Sequence, residues 1–171
     1  DNNSDGHDMI AIAGQRTLSS AGQMTLDSTA GGVQRSGAYT LTLTSRAGIL
    51  INDNFNSATA AQPLVINADS NGSGSGTFTL AAGKLLSTNN GLLTLSAAAI
   101  QILGTVSTGT AATILHTTTD RTIGLGTTSQ EFDVEGAELG RFTSSGMTVG
   151  RGDLSKSITV VGLSAIDTNG I

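Results

Sequence analysis

Leu93-Thr94-Leu95-Ser96-Ala97, followed after a short break by Ile100-Gln101-Ile102, is the stretch on which the fold turns. Aliphatic residues alternate with Thr, Ser or Gln, so the aliphatic pair lies on one face of an extended chain and the polar residue on the other. That is the pattern of a half-buried β-strand. The same unit recurs as Met24-Thr25-Leu26, Leu41-Thr42-Leu43, Ile49-Leu50-Ile51, Leu64-Val65-Ile66, Phe78-Thr79-Leu80, Ile123-Gly124-Leu125, Phe132-Asp133-Val134, Met147-Thr148-Val149 and Ile158-Thr159-Val160. Many short, similar strands point to a stack of repeated rungs.

Between the strands stand Ala21-Gly22, Gly31-Gly32, Ser36-Gly37 and Ala47-Gly48, turn-forming sequences in which Gly takes a positive φ at little cost. Residues 54–62 read as a longer loop that ends at Pro63, the only proline, placed to enter a strand. Residues 67–76, rich in Asn, Ser and Gly, read as the most flexible segment. The sole helical window is Glu135 to Phe142, where Gly136 and Gly140 limit the helix to a turn at a corner.

Composition narrows the architecture. The chain has 171 residues, enough for one domain over 1–171 with a sizeable core, yet aromatics are 3%, Trp is absent, and there is one Tyr against 23 Gly. A β-sandwich, the alternative fold, wants bulkier side chains to fill a core about 10 Å thick. The expectation is therefore an all-β, right-handed parallel β-helix, a β-solenoid, of about seven coils at a rise of about 4.8 Å each. A start at Asp1 without Met fits one repeat unit or a processed subunit of a longer chain.

Net charge is −5, and the eight Lys and Arg are scattered singly, so no basic surface is concentrated enough for nucleic acid. Cysteine is absent, which excludes a disulfide framework and thiolate metal ligation. No run approaches the ~20 apolar residues needed to cross a bilayer as a helix, so membrane insertion is not expected.

Four strings carry a family resemblance: Gly91-Leu92-Leu93-Thr94-Leu95-Ser96-Ala97, Leu103-Gly104-Thr105-Val106-Ser107-Thr108-Gly109, Arg121-Thr122-Ile123-Gly124-Leu125-Gly126 and Ala137-Glu138-Leu139-Gly140-Arg141. Together they resemble repeats of filamentous-haemagglutinin-like, giant secreted β-solenoid proteins, well over about 64–161 and only in style before that. The resemblance implies an extracellular or cell-surface location and a role in attachment or in a fibre, and it carries no catalytic residues.

Several loops hold candidate sites. Asp1, Asn3 and Asp5, and again Asn67, Asp69 and Asn71, alternate oxygen side chains ahead of a Gly as a calcium loop does, and calcium is the one candidate cofactor. Asp167-Thr168-Asn169-Gly170 keeps part of that outline. Neither full loop has the bidentate Glu of an EF-hand, and turn formation by Asn and Asp is the simpler reading. Arg151-Gly152-Asp153 is an integrin-type tripeptide expected in a turn, with its two charges presented on opposite sides to a receptor. Asn2 and Asn71 open N-glycosylation sequons. Glu131, Asp133 and Glu135 alternate with Phe132 and Val134 and so share a strand face, where a carbohydrate-active enzyme would place its acid and base. A solvated face is the simpler account. His7 and His116 stand alone, outside any metal or triad spacing.

The expectation for function is a non-enzymatic structural module of an extracellular fibre, stacking head-to-tail on identical subunits or neighbouring repeats through open solenoid ends. The alternative is an adhesin module that binds glycans or cell-surface receptors through residues 67–76 or the Arg151 turn.

Overall fold

A computed structural model describes residues 9–168 and 170–171. In chain order the strands are β1 (Ile10–Ala13), β2 (Arg16–Ser20), β3 (Met24–Leu26), β4 (Val33–Ser36), β5 (Leu41–Ser45), β6 (Ile49–Ile51), β7 (Phe55–Ser57), β8 (Leu64–Asn67), β9 (Thr77–Leu80), β10 (Leu85–Ser87), β11 (Leu93–Ala97) and β12 (Ala99–Ile102). They continue as β13 (Thr105–Ser107), β14 (Thr113–Thr117), β15 (Arg121–Gly126), β16 (Phe132–Val134), the short helix α1 (Gly136–Leu139), β17 (Phe142–Thr143), β18 (Met147–Val149), β19 (Ser155–Val161) and α2 (Ala165–Thr168).

The protein is all-β with parallel sheets, and up to β14 each strand pairs with strands three places away in the sequence. One sheet runs β1-β4-β7-β10-β13-β17, a second β2-β5-β8-β11-β14-β18, and a third β3-β6-β9-β12. Among the described pairings none is antiparallel, so the hairpins that would build a sandwich do not occur. Two sheets hold six strands each. The spacing between paired strands widens sharply once. Val106 to its partner Phe142 spans 36 residues, where Leu86 to Val106 spans 20.

That wider interval contains β15 and β16, which β19, later in the chain, joins to complete the fourth sheet, β16-β15-β19. β15 and β16 are consecutive in the chain and nevertheless parallel, with Ile123 opposite Phe132. The return is short for a parallel connection, which usually takes a dozen or more residues. It is held by Arg121 Nη1 donating to Glu131 O (3.1 Å), Thr122 N donating to Glu131 Oε2 (2.9 Å) and Gln130 N donating to Asp133 Oδ1 (2.7 Å).

The alternation read from sequence is what fills the interior. In β5, Leu41 and Leu43 are fully buried while Thr42 faces outward, and the pattern repeats in β8 and β11. In-register pairing stacks like on like, as in the column Leu43, Ile66, Leu95, Leu115. Each such side chain contributes about 1.5–3 kcal/mol by leaving water. All four phenylalanines are buried in the equivalent columns of the other sheets, Phe55 and Phe142 in the first, Phe78 in the third and Phe132 in the fourth.

Where the first sheet gives way to the second, buried hydroxyls tie the turn. Thr88 Oγ1 donates to Gly91 O (2.5 Å), Thr108 Oγ1 to Ala111 O (2.8 Å) and Ser144 Oγ to Gly146 O (2.8 Å). Earlier in the stack Arg35 takes over. Its guanidinium is fully buried and donates to Pro63 O (2.6 Å) and Gln62 O (2.7 Å). The Oγ of Ser57, its register partner, is left without a partner, as is Arg35 Nε. Removal from water pulls the Arg35 pKa down, because the charged form loses its hydration.

Candidate functional site

Two segments that the sequence marks separately, 67–76 and the Arg151 turn, meet at one corner of the molecule. Asn67, Asp69 and Ser70 at the end of β8, His116 on β14, and Arg151 and Leu154 before β19 line one small depression of about 140 Å³. Ser70 also borders a second depression of about 310 Å³ whose lining includes Ser19, Thr44 and Arg46. The two make an open, hydroxyl-rich groove along the second sheet's corner.

The 67–76 loop is organised from inside by Asp69. This carboxylate is fully buried and met by donors on both oxygens: Ser73 N (3.0 Å) and Ser73 Oγ (2.8 Å) to Oδ1, Gly74 N (2.9 Å) and Thr118 Oγ1 (2.6 Å) to Oδ2. Burial alone would push its pKa up, but these four bonds outweigh it and hold the carboxyl below the ordinary value. The backbone N–H of Asp69 is itself taken by Asn67 Oδ1 (3.1 Å). In the orientation that satisfies its neighbours, the Asn71 amide donates to Arg46 O (3.2 Å), Asp69 Oδ1 (3.0 Å) and Ser73 Oγ (3.3 Å). Asn67, Asp69 and Asn71 thus serve the loop's own backbone. The nitrogen of Asn71 that would carry a glycan is engaged in the same network. Arg121 Nη2 donates to Gly74 O (2.6 Å) and pins the loop to β15, so 67–76 is held at several points.

The Arg151 turn departs from expectation in one respect. Arg151 and Asp153 do not point to opposite sides; Nε donates to Oδ1 at 2.6 Å and Nη2 to Oδ2 at 2.9 Å. Two charges two residues apart in a tight turn find each other before they find solvent. The bond from Arg151 holds the Asp153 carboxyl below its ordinary pKa, and both side chains remain exposed.

Phe132 and Val134 are buried, so Glu131, Asp133 and Glu135 alternate outward as expected. Each has its own local role. Glu131 accepts from Thr122, which holds its pKa low; Asp133 accepts from Gln130 N; Glu135 opens α1 as its N-terminal flanking residue. Asp133 and Glu135 border two open clefts of about 550 and 590 Å³ on either side of the strand. Among the described residues no group of three His, Cys, Asp or Glu is arranged to hold a metal. Asp1, Asn2, Asn3, Asp5 and His7, and likewise Asn169, lie outside the described residues.

Glu138 and Arg141, which the sequence offers only as part of a family-like string, have a structural task of their own. Glu138 on α1 is buried and accepts from Ile102 N (2.8 Å) and Glu135 N (3.1 Å), while Arg141 Nη1 donates to Ile102 O (2.5 Å). Together they close the edge of the third sheet at β12. Burial, the largest influence, pushes the Glu138 carboxyl up despite both bonds. The only sequence signal was that a Glu three residues after Glu135 fits a capping box. His116 Nδ1 lies 2.9 Å from Thr117 O, and the ring faces the groove beside Arg151.

No family model, curated protein or solved structure matches the chain.

Proposed function

We propose that the chain is a right-handed parallel β-solenoid acting as a non-enzymatic structural module of an extracellular fibre, stacked head-to-tail on identical subunits. The observation that carries this reading is the fate of the inward columns. Ile158 and Val160 on β19 are register partners of Ile123 and Leu125, and Ile123 is fully buried, yet Ile158 is 47% and Val160 57% exposed. The interior pattern thus runs on to a surface that another rung would cover. The three-strand periodicity supports the winding, and the resemblance of Leu103 to Gly109 and Ala137 to Arg141 to secreted repeats supports the location. Electron microscopy of native material tests it: filaments with an axial repeat of several strand spacings are expected. A monodisperse monomer at high concentration by light scattering would overturn it.

A second reading, attachment to glycans or receptors, is favoured by the convergence of 67–76 with Arg151 on one groove. A glycan array tests it, together with cell attachment compared between the native chain and Asp153→Glu. Equal attachment and an empty array would remove it.

A further inference from the structure

We propose that the joint between copies is a single strand addition, the β3 edge of one copy pairing in parallel with the β19 edge of the next, Met24 opposite Ile158 and Leu26 opposite Val160. This rests on the fibre reading and names the contact that reading leaves open.

At the far end of the molecule the sheets finish differently. The third sheet's edge at β12 is closed by Glu138 and Arg141, which take both the N–H and the carbonyl of Ile102. The first sheet ends at β17, where Phe142 is 1% exposed and Ser144 N donates to Gly170 O (2.8 Å). In the second, Met147 and Val149 of β18 are half-buried. β19 is the outlier. It has seven residues, pairs only with β15 among the described strands, and carries the exposed Ile158 and Val160. Its one charged residue, Lys156, sits two positions before Ile158, so the stretch 157–161 lacks the charges that usually protect an edge.

β3 fits it in kind. It is the opposite edge of the third sheet, pairs only with β6 among the described strands, and presents Met24 and Leu26 inward at the same two-residue spacing. β16 packs against β12, so the sheet that ends at β19 lies against the end of the sheet that begins at β3. A translated second copy would bring β3 to β19 with matching parity. Met and Leu columns then extend the Ile and Val columns, as Met24 already stacks on Ile49 within the chain.

The absence of cysteine makes the test clean. In the proposed register Thr25 stands opposite Thr159, at a separation a disulfide can bridge. The double variant Thr25→Cys, Thr159→Cys, oxidised with copper phenanthroline, is expected to give a ladder of disulfide-linked multimers on a non-reducing gel. The pair Thr25→Cys, Ser157→Cys, out of register, is expected to give far less. Val160→Lys, at an exposed position that cannot unfold the chain, is expected to raise the concentration needed for assembly at least about tenfold, since it would bury an unpaired charge. Native filaments with no ladder, or with equal ladders from both pairs, overturn this joint and leave the fibre reading standing. Absence of any assembly by the native chain overturns both.

Discussion

Replacing Asp69 by Asn keeps the shape of the side chain and removes the charge on which the 67–76 loop is built. Five donors meet this carboxylate, three on Oδ1 with the Asn71 amide among them and two on Oδ2, and the side chain is fully buried. An amide has one accepting oxygen, so the nitrogen replacing the other oxygen would face donors at about 3 Å, a repulsive contact. Hydrogen bonds to a charged group contribute about 1.5–3 kcal/mol each, and leaving a donor buried and unmet costs about 1–3 kcal/mol. Loss of the two bonds on one oxygen and weakening of the others should therefore cost about 3–4 kcal/mol. For a chain of this size that is a fall of roughly 6–15 °C in the melting temperature. The assay is thermal unfolding followed by far-ultraviolet circular dichroism, with Asp120→Asn, at an exposed position, as the control. The pH profile adds a sign. Because the folded pKa lies below the unfolded one, Asp69 contributes fully above the unfolded value, about 3.9, and its contribution disappears as pH falls through the folded value. The native chain should lose more stability than Asp69→Asn on acidification over that window. A fall no larger than that of Asp120→Asn, or parallel acid profiles, would refute the role assigned to this carboxylate.

Phe78→Ala removes a fully buried ring between Ile49 and Ile100 and should cost about 3–5 kcal/mol by chemical denaturation. Gly91→Ala should destabilise the turn strongly, because its Cβ would lie 2.0 Å from the carbonyl oxygen of Gln62; a refolded variant of native melting temperature would contradict the close approach. Glu138 has a raised folded pKa, so the folded chain binds its proton first and this group's contribution to stability rises as pH falls through that value; Glu138→Ala should abolish this component and expose Ile102 N–H to hydrogen exchange. Adding calcium after chelation should leave the melting temperature unchanged, since Asp69 is already saturated with donors; a rise would restore a metal role to the loop.

Much of the strand inventory was legible because alternation is a local signal. Leu41-Thr42-Leu43 announces both that it is a strand and which face is buried. Phe55-Asn56-Ser57 does not, since one aromatic between Asn and Ser carries no second aliphatic, and β7 therefore fell inside an expected loop. Phe142-Thr143 was hidden in the same way behind a weak helical window. Arg35 was legible in principle: it shares parity with Val33, which places it on the buried face, but charge argued the other way. The site is harder to read because its contacts are long in sequence. Asp69 is completed by Thr118, and Gly74 by Arg121, which no pattern within either segment reveals. The Arg151 to Asp153 pairing is hidden for the opposite reason: it is so local that the tripeptide's two charges satisfy each other, which the motif's outline does not display.

The register separations also bear on how the chain acquires its order. Partners in the first two sheets lie 20 to 36 residues apart all along their length, never at the distance of one terminus from the other. Loop-closure entropy grows only slowly with such lengths and is met afresh, in similar amount, at each pairing. Folding can therefore advance like a zip, each completed round serving as the template for the next, without waiting for the whole polypeptide. Order in such a chain can be gained locally, one pairing at a time, from either end.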